Sequence, residues 1–166
     1  MLNKKKVALL GAMAAVAMAS TGAQAATATA TADVDIIAAV QLQQLEGLDF
    51  GTVASSATAG TVVLPSGSNV RTCTAQVTCV GPALRGRFTV SGATSGYVVS
   101  INVPGTVSLT STTGGAPMTV ELLPSTTTIN TTSSAQEFFI GGNLAVGAYQ
   151  AAGNYTAEYT VTANYQ

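Results

Sequence analysis

Histidine and tryptophan are absent from this chain, and lysine occurs only at positions 4, 5 and 6. Without histidine, the Ser/His and Cys/His pairs that activate a nucleophile cannot be built. Without tryptophan or a cluster of other aromatics there is no platform on which a sugar ring would stack. Charge is sparse as well. Beyond residue 25 three arginines, Arg71, Arg85 and Arg87, stand against seven acids, a net charge of −4. An acidic chain with no basic patch argues against nucleic acid and anionic membranes as partners. No apolar run approaches the ~20 residues that span a bilayer, so direct membrane insertion is not expected. Together these absences predict a protein that is not an enzyme and carries no cofactor.

What is present begins with a processing signal. Lys4, Lys5 and Lys6 form a positive start, and residues 7–18, VALLGAMAAVAM, an apolar stretch of twelve. Ala23-Gln24-Ala25 then places small residues where a signal peptidase reads them, so residues 1–25 are expected to be removed. The protein is therefore expected to be exported: to the periplasm, then to the cell surface, a fimbrium or the medium. Residues 26–32, ATATATA, read as a flexible Ala/Thr leader, and residues 33–166 as a single domain. Abundant Thr and Val, regular Gly and few charges describe an all-β secreted class. About 140 residues are enough to bury a core without many staples.

Cys73 and Cys79 sit in TCTAQVTC. In an oxidising compartment a disulfide is the default. Along one straight strand they would lie roughly 20 Å apart, so a bridge requires the chain to turn near Ala75-Gln76. Neither residue is a favoured turn former. The alternative is a pair of free thiols packed in or near a sheet. A metal site is not expected, since two cysteines without histidine leave coordination incomplete.

Along DVDIIAAVQLQQL the even positions Val34, Ile36, Ala38, Val40 and Leu42 are all apolar, which predicts a strand, with a helix capped at Gly47 as the alternative. Turn residues then recur every eight to twelve positions. Short strands are predicted at 48–54, 60–65, 87–92, 96–104, 107–109 and 117–124, followed by a Ser/Thr-rich loop at 125–134. Residues 137–150 read as two strands divided at the Gly-Gly-Asn of 141–143. From Tyr155 to Tyr165 the odd positions are Tyr, Ala, Tyr, Val, Ala, Tyr and the even ones polar, predicting one continuous closing strand. This spacing predicts a sandwich of about seven to ten short antiparallel strands, not a βαβ fold.

Other motifs carry less. Asp33 and Asp35 share a strand face, short of the six to eight oxygens that Ca²⁺ takes. Glu46 and Asp49 could pair as glycosidase carboxylates, but nothing beside them would grip a sugar. Asn130 and Asn154 open formal glycosylation sequons, discounted in a bacterial setting. Arg85 and Arg87 read as edge charges that discourage strand pairing, or as a small anion site.

Several segments taken in order, LDFGTV, RFTVSG, GYVVSINVPGTVSLTS, GGAPMTVELL and FIGGNLAVGAYQAAGNYTAEYTVTANYQ, resemble domain-of-unknown-function family 4402, a family of exported bacterial proteins. The resemblance covers roughly residues 33–166, and the cysteine pair is not part of its pattern. It implies an immunoglobulin-like, pilin-like β-sandwich related to pilus and spore-coat subunits, and it brings no catalytic residues. Fimbrial subunits have an incomplete sandwich, filled first by a periplasmic chaperone and then, at an outer-membrane usher, by the alternating N-terminal extension of the next subunit. They end in an alternating strand with a penultimate tyrosine, as Tyr165 is here, and a glycine about a dozen residues earlier, as Gly153 is.

By this resemblance the candidate acceptor strand is Gly153, Tyr155, Ala157, Tyr159, Val161, Ala163 and Tyr165. The candidate donor strand is Val34, Ile36, Ala38, Val40 and Leu42. The function implied is a structural subunit of a surface fibre, a polymer of itself or of related subunits. The alternative is a self-complete exported sandwich, with residues 33–42 pairing beside 154–165, acting in a matrix, coat or surface interaction.

Overall fold

The structure is a computed structural model that describes residues 25–166; the expected signal segment, but for Ala25, lies outside them. The chain divides into two units, Met1–Val34 and Asp35–Gln166. Of the first, residues 25–34 are exposed and have no regular secondary structure. The second is all-β, and among the described residues there is no helix.

The main sheet is antiparallel. Its path runs β1 (Gln41–Glu46), β6 (Gly86–Ser91), β11 (Gln136–Val146), β9 (Met118–Pro124), β8 (Thr106–Ser111) and β12 (Tyr155–Thr156). β3 (Gly60–Leu64) pairs with the far half of β11, and β4 (Thr72–Cys73) pairs with β3. A second sheet orders β10 (Thr128–Asn130), β7 (Val98–Asn102) and β13 (Thr162–Tyr165), and a ribbon joins β2 (Thr52–Ala54) to β5 (Thr78–Val80). The sheets form a curled, sandwich-like arrangement. Both supply its core: Phe88, Val90, Phe138, Ile140, Val120 and Leu122 from the first, Val99, Ile101 and Ile129 from the second. The Phe88 and Phe138 rings stack at 5.4 Å. Each such side chain, buried on alternate positions, contributes about 1.5–3 kcal/mol of transfer free energy.

Three sequence expectations change. The strand expected from residue 33 begins at Gln41. Ala38 is held by side chains in place of a ladder: its N–H donates to Thr94 Oγ1 (2.8 Å) and its carbonyl accepts from the Tyr165 hydroxyl (2.7 Å). The even-position alternation lapses with it. Val34, Ile36 and Ala38 are exposed, while Ile37 and Val40 are half-buried.

The second change is at Gly141-Gly142, which make no turn. β11 runs straight through them and changes partner there: residues Gln136–Ile140 pair with β6 and Gly142–Val146 with β3, along the same edge. Thirdly, Arg85 and Arg87 do not guard an edge, because β6 lies between β1 and β11. Arg85 stacks on Phe139 at 3.6 Å and donates to the Ser66 carbonyl. Arg87 sits between Glu46 (3.3 Å) and Glu137 (3.7 Å).

Candidate functional site

The closing strand keeps its alternation but not its continuity. Odd positions from Tyr155 to Tyr165 are half-buried and even ones exposed. Yet β12 pairs with β8 in the main sheet, β13 pairs with β7 in the second, and residues 157–161 between them belong to no ladder. Residues 158–160 make no hydrogen bond among the described residues. Backbone N–H and C=O groups in that state need water or a partner strand.

Beside this stretch the sandwich is open. A half-open groove of about 820 Å³ has Val107, Leu109, Met118, Val120, Leu144 and Val146 as its apolar floor. One wall is residues 48–55; the other is residues 150–157 with Tyr159. A smaller, more polar cleft of about 400 Å³ continues past Gln44, Phe88 and residues 157–160. The groove is where the two layers fail to close over the core.

Its first wall is held by few elements. Asp49 exchanges two backbone hydrogen bonds with Leu84 (2.7 and 2.8 Å), and Asp49 Oδ1 accepts from Gly51 N–H. The Arg71 guanidinium donates to the carbonyls of Phe50, Val80, Gly81 and Pro82, clasping the LDFG segment to the loop after β5. The Cys73–Cys79 disulfide forms, with Cα atoms 6.4 Å apart, and the chain turns at Ala75-Gln76 as the bridge requires, Val77 N–H bonding the Thr74 carbonyl. Cys73 pairs with Val62 on β3 and Cys79 with Val53 on β2, so the bond ties the wall ribbon to the main sheet.

The predicted acceptor residues fall into two groups. Gly153, Tyr155, Ala157 and Tyr159 line the groove. Val161, Ala163 and Tyr165 lie outside it and pack on the core. Tyr165 is fully engaged: its hydroxyl donates to Ala38 and accepts from Thr94 N–H (2.8 Å), and its ring meets Tyr97 edge-on. The end of the chain is thus held within its own molecule. The predicted donor residues divide as well. Leu42 pairs with Val90, and with Val40 it packs on its own core. Val34 and Ile36 are 82% and 91% exposed. Glu46 and Asp49 each serve a structural partner.

Tyr159 stands apart from the other tyrosines. Its hydroxyl is buried without a partner among the described residues, and desolvation raises its pKa above the ordinary 10.0. The neutral phenol is therefore favoured in the folded state. Its contribution is complete below the unfolded value and is lost as pH rises through the higher folded value. Urea midpoints are expected to fall above about pH 10, and Tyr159→Phe to remove that component of the fall. A variant whose alkaline slope matches the parent chain would refute the assignment. At neutral pH Tyr159→Phe is expected to be no less stable, since it deletes an unsatisfied polar atom.

An open antiparallel sandwich, stapled by one disulfide and exposing an apolar groove beside an unpaired strand segment, defines the class of protein. The sequence profile of one family, described as "Domain of unknown function (DUF4402)", matches residues 40–165, and the chain belongs to that family. No curated protein matches it.

Proposed function

We propose that the protein is a structural subunit of a bacterial surface fibre or pilus-like assembly, joined by β-strand donation into the groove. The supporting observation is the coincidence of an apolar floor, Val107 to Val146, with the backbone of residues 157–160, which joins no ladder, along the groove and the cleft that continues it. A donated strand would satisfy both at once: its backbone bonds the rim and its alternate side chains fill the floor. Subunits linked head to tail make a contact that does not close, which yields filaments. A periplasmic chaperone would shield the groove until an usher delivered the next subunit.

The test is the full-length chain expressed for export, with and without Ala157→Arg, followed by size-exclusion chromatography with light scattering and electron microscopy. The parent chain is expected to form ladders or filaments. The variant, whose arginine would project at the groove, is expected to remain a folded monomer. A parent chain that is monomeric at every concentration rejects the proposal. That result would favour the second reading, a self-complete exported sandwich in a matrix or coat. The pairing of β1 with β6 and the Tyr165–Ala38 bond within one chain support this alternative.

A further inference from the structure

We infer that the two ends of the domain form a second contact between copies, Tyr149 of one packing on Tyr97 of the next, an inference that rests on the head-to-tail assembly proposed above. The strand registers define the ends. β11 is eleven residues long, ~35 Å of extended chain. At its start Gln136 pairs with Val90, close to the loop 92–97 that leaves β6. At its finish Val146 pairs with Gly60, where the loops 55–59 and 147–154 gather. Among the described residues Tyr97 and Tyr149 are the exposed aromatics, at 41% and 79%, and each end has one.

The backbone at Tyr149 is strained. Its φ is +50°, and among the described residues no other non-glycine residue has a positive φ. A bulky side chain disfavours this left-handed region, which glycine and asparagine enter readily. The surrounding turn imposes it. Tyr149 N–H donates to the Ser56 carbonyl (2.7 Å), and the Gln150 carbonyl accepts from Ser55 Oγ (3.0 Å). Gln150 Nε2 donates to the Ala116 carbonyl (2.6 Å) and to the Tyr155 hydroxyl (2.9 Å). None of these bonds uses the Tyr149 side chain, whose phenol makes no hydrogen bond among the described residues. The fold thus needs a left-handed residue at this place and has no use for its ring. Strain held in place by the surroundings, at a group its own molecule leaves idle, points to a contact made with another.

Tyr97 offers a prepared surface at the opposite end. Its N–H donates to Thr131 Oγ1 (3.0 Å), its carbonyl accepts from Thr131 N–H (2.8 Å), and its ring stands edge-on to Tyr165 at 5.7 Å. A further ring can add to such a fixed pair at the same kind of spacing. The surroundings match as well. Loops 55–59, 112–117 and 147–154 at one end, and 92–97 and 131–135 at the other, contain no charged residue. Tyrosine amid uncharged surface is the composition of an interface centre. Because the two ends differ, their contact is heterologous and extends a row of copies without closing it.

The test uses the full-length exported chain carrying Tyr149→Asn. Asparagine suits the turn and removes the ring, so stability and assembly should move apart. The urea midpoint should equal or exceed the parent's, while the assembled fraction should fall roughly tenfold or more. A lower midpoint would mean that the ring serves its own fold, and would overturn the inference. The partner residue is read by charge exchange. Tyr149→Glu and Tyr97→Arg should each weaken assembly with unchanged circular dichroism, and the chain carrying both should recover it, since every contact then joins opposite charges. No recovery overturns the pairing of these two residues. If Tyr149→Asn assembles as the parent does while Ala157→Arg does not, the end contact is overturned and strand donation stands. The reverse result overturns strand donation and leaves the end contact standing. If neither substitution affects assembly, both are overturned.

Discussion

Gly141→Ala is expected to destabilise the domain by about 3 kcal/mol or more, the upper range for overpacking a rigid interior. The reason is backbone, not side chain. A methyl group at residue 141 would meet the carbonyl oxygen of Leu64, the carbonyl carbon of Pro65 and the amide nitrogen of Ser66. Backbone atoms at the end of β3 and in the turn that follows it cannot swing aside as the tip of a side chain can. The collision falls on β11, which binds β6, β3 and β9, so any relief must shift the main sheet. Gly67→Ala is the matched control: its added methyl has open space, and its stability should hold within about 0.5 kcal/mol. Urea denaturation of the three chains checks the pair. A Gly141→Ala midpoint equal to that of Gly67→Ala would mean that the strands are not so closely set.

Removing the disulfide, by reduction or by Cys73→Ser with Cys79→Ser, is expected to cost about 2–3 kcal/mol from the loop-closure entropy of so short a loop. The larger consequence is local. The bond joins the β2–β5 ribbon to the β3–β4 edge, and that ribbon forms part of one groove wall. Arg71 would still clasp Phe50 to the loop after β5, so the fold should survive while the wall loosens. Hydrogen exchange should therefore quicken at Thr52, Val53 and Ala54 far more than at Phe138 or Ile140 in the core. Equal acceleration at both places, or none at either, would contradict this division. Under the proposed function the reduced chain would also assemble less well, since its acceptor groove would lose definition.

Local chemistry was legible where it decides the outcome. The alternation of RFTVS, VVSIN and MTVELLP places each in a sheet, and the need to bridge Cys73 with Cys79 locates the turn at Ala75-Gln76. The half-buried parity of residues 155–165 also follows from their sequence. What could not be read locally depends on distant partners. Gly141-Gly142 looks like a turn, and becomes the middle of an eleven-residue strand only because β3 crosses so closely. Alternation cannot reveal that one strand leaves β8 and rejoins the fold at β7, since its parity continues through the gap. The first strand was placed too early for a similar reason. Apolar positions at 34 and 36 have the right period for a strand, but period does not supply a partner, and among the described residues both lie exposed and outside any ladder. Among the described residues there are thirteen strands where seven to ten were expected; the additional ones, β4, β5 and β10, are two or three residues long and lie in stretches that the sequence reads as turn or loop, β10 within the Ser/Thr-rich 125–134.

That residues 155–165 serve both sheets has a consequence for the order of folding. β7 and β8 do not bond each other; Tyr155–Thr156 and Thr162–Tyr165 each secure one of them, and Tyr165 also fixes Ala38, 127 residues earlier. A chain folding from its N-terminal side would lack this closure until residues 155–165 were in place. Until then it would expose strand edges and apolar faces. The fold would thus lock only when residues 155–165 dock, joining both sheets and the Ala38 segment in one step.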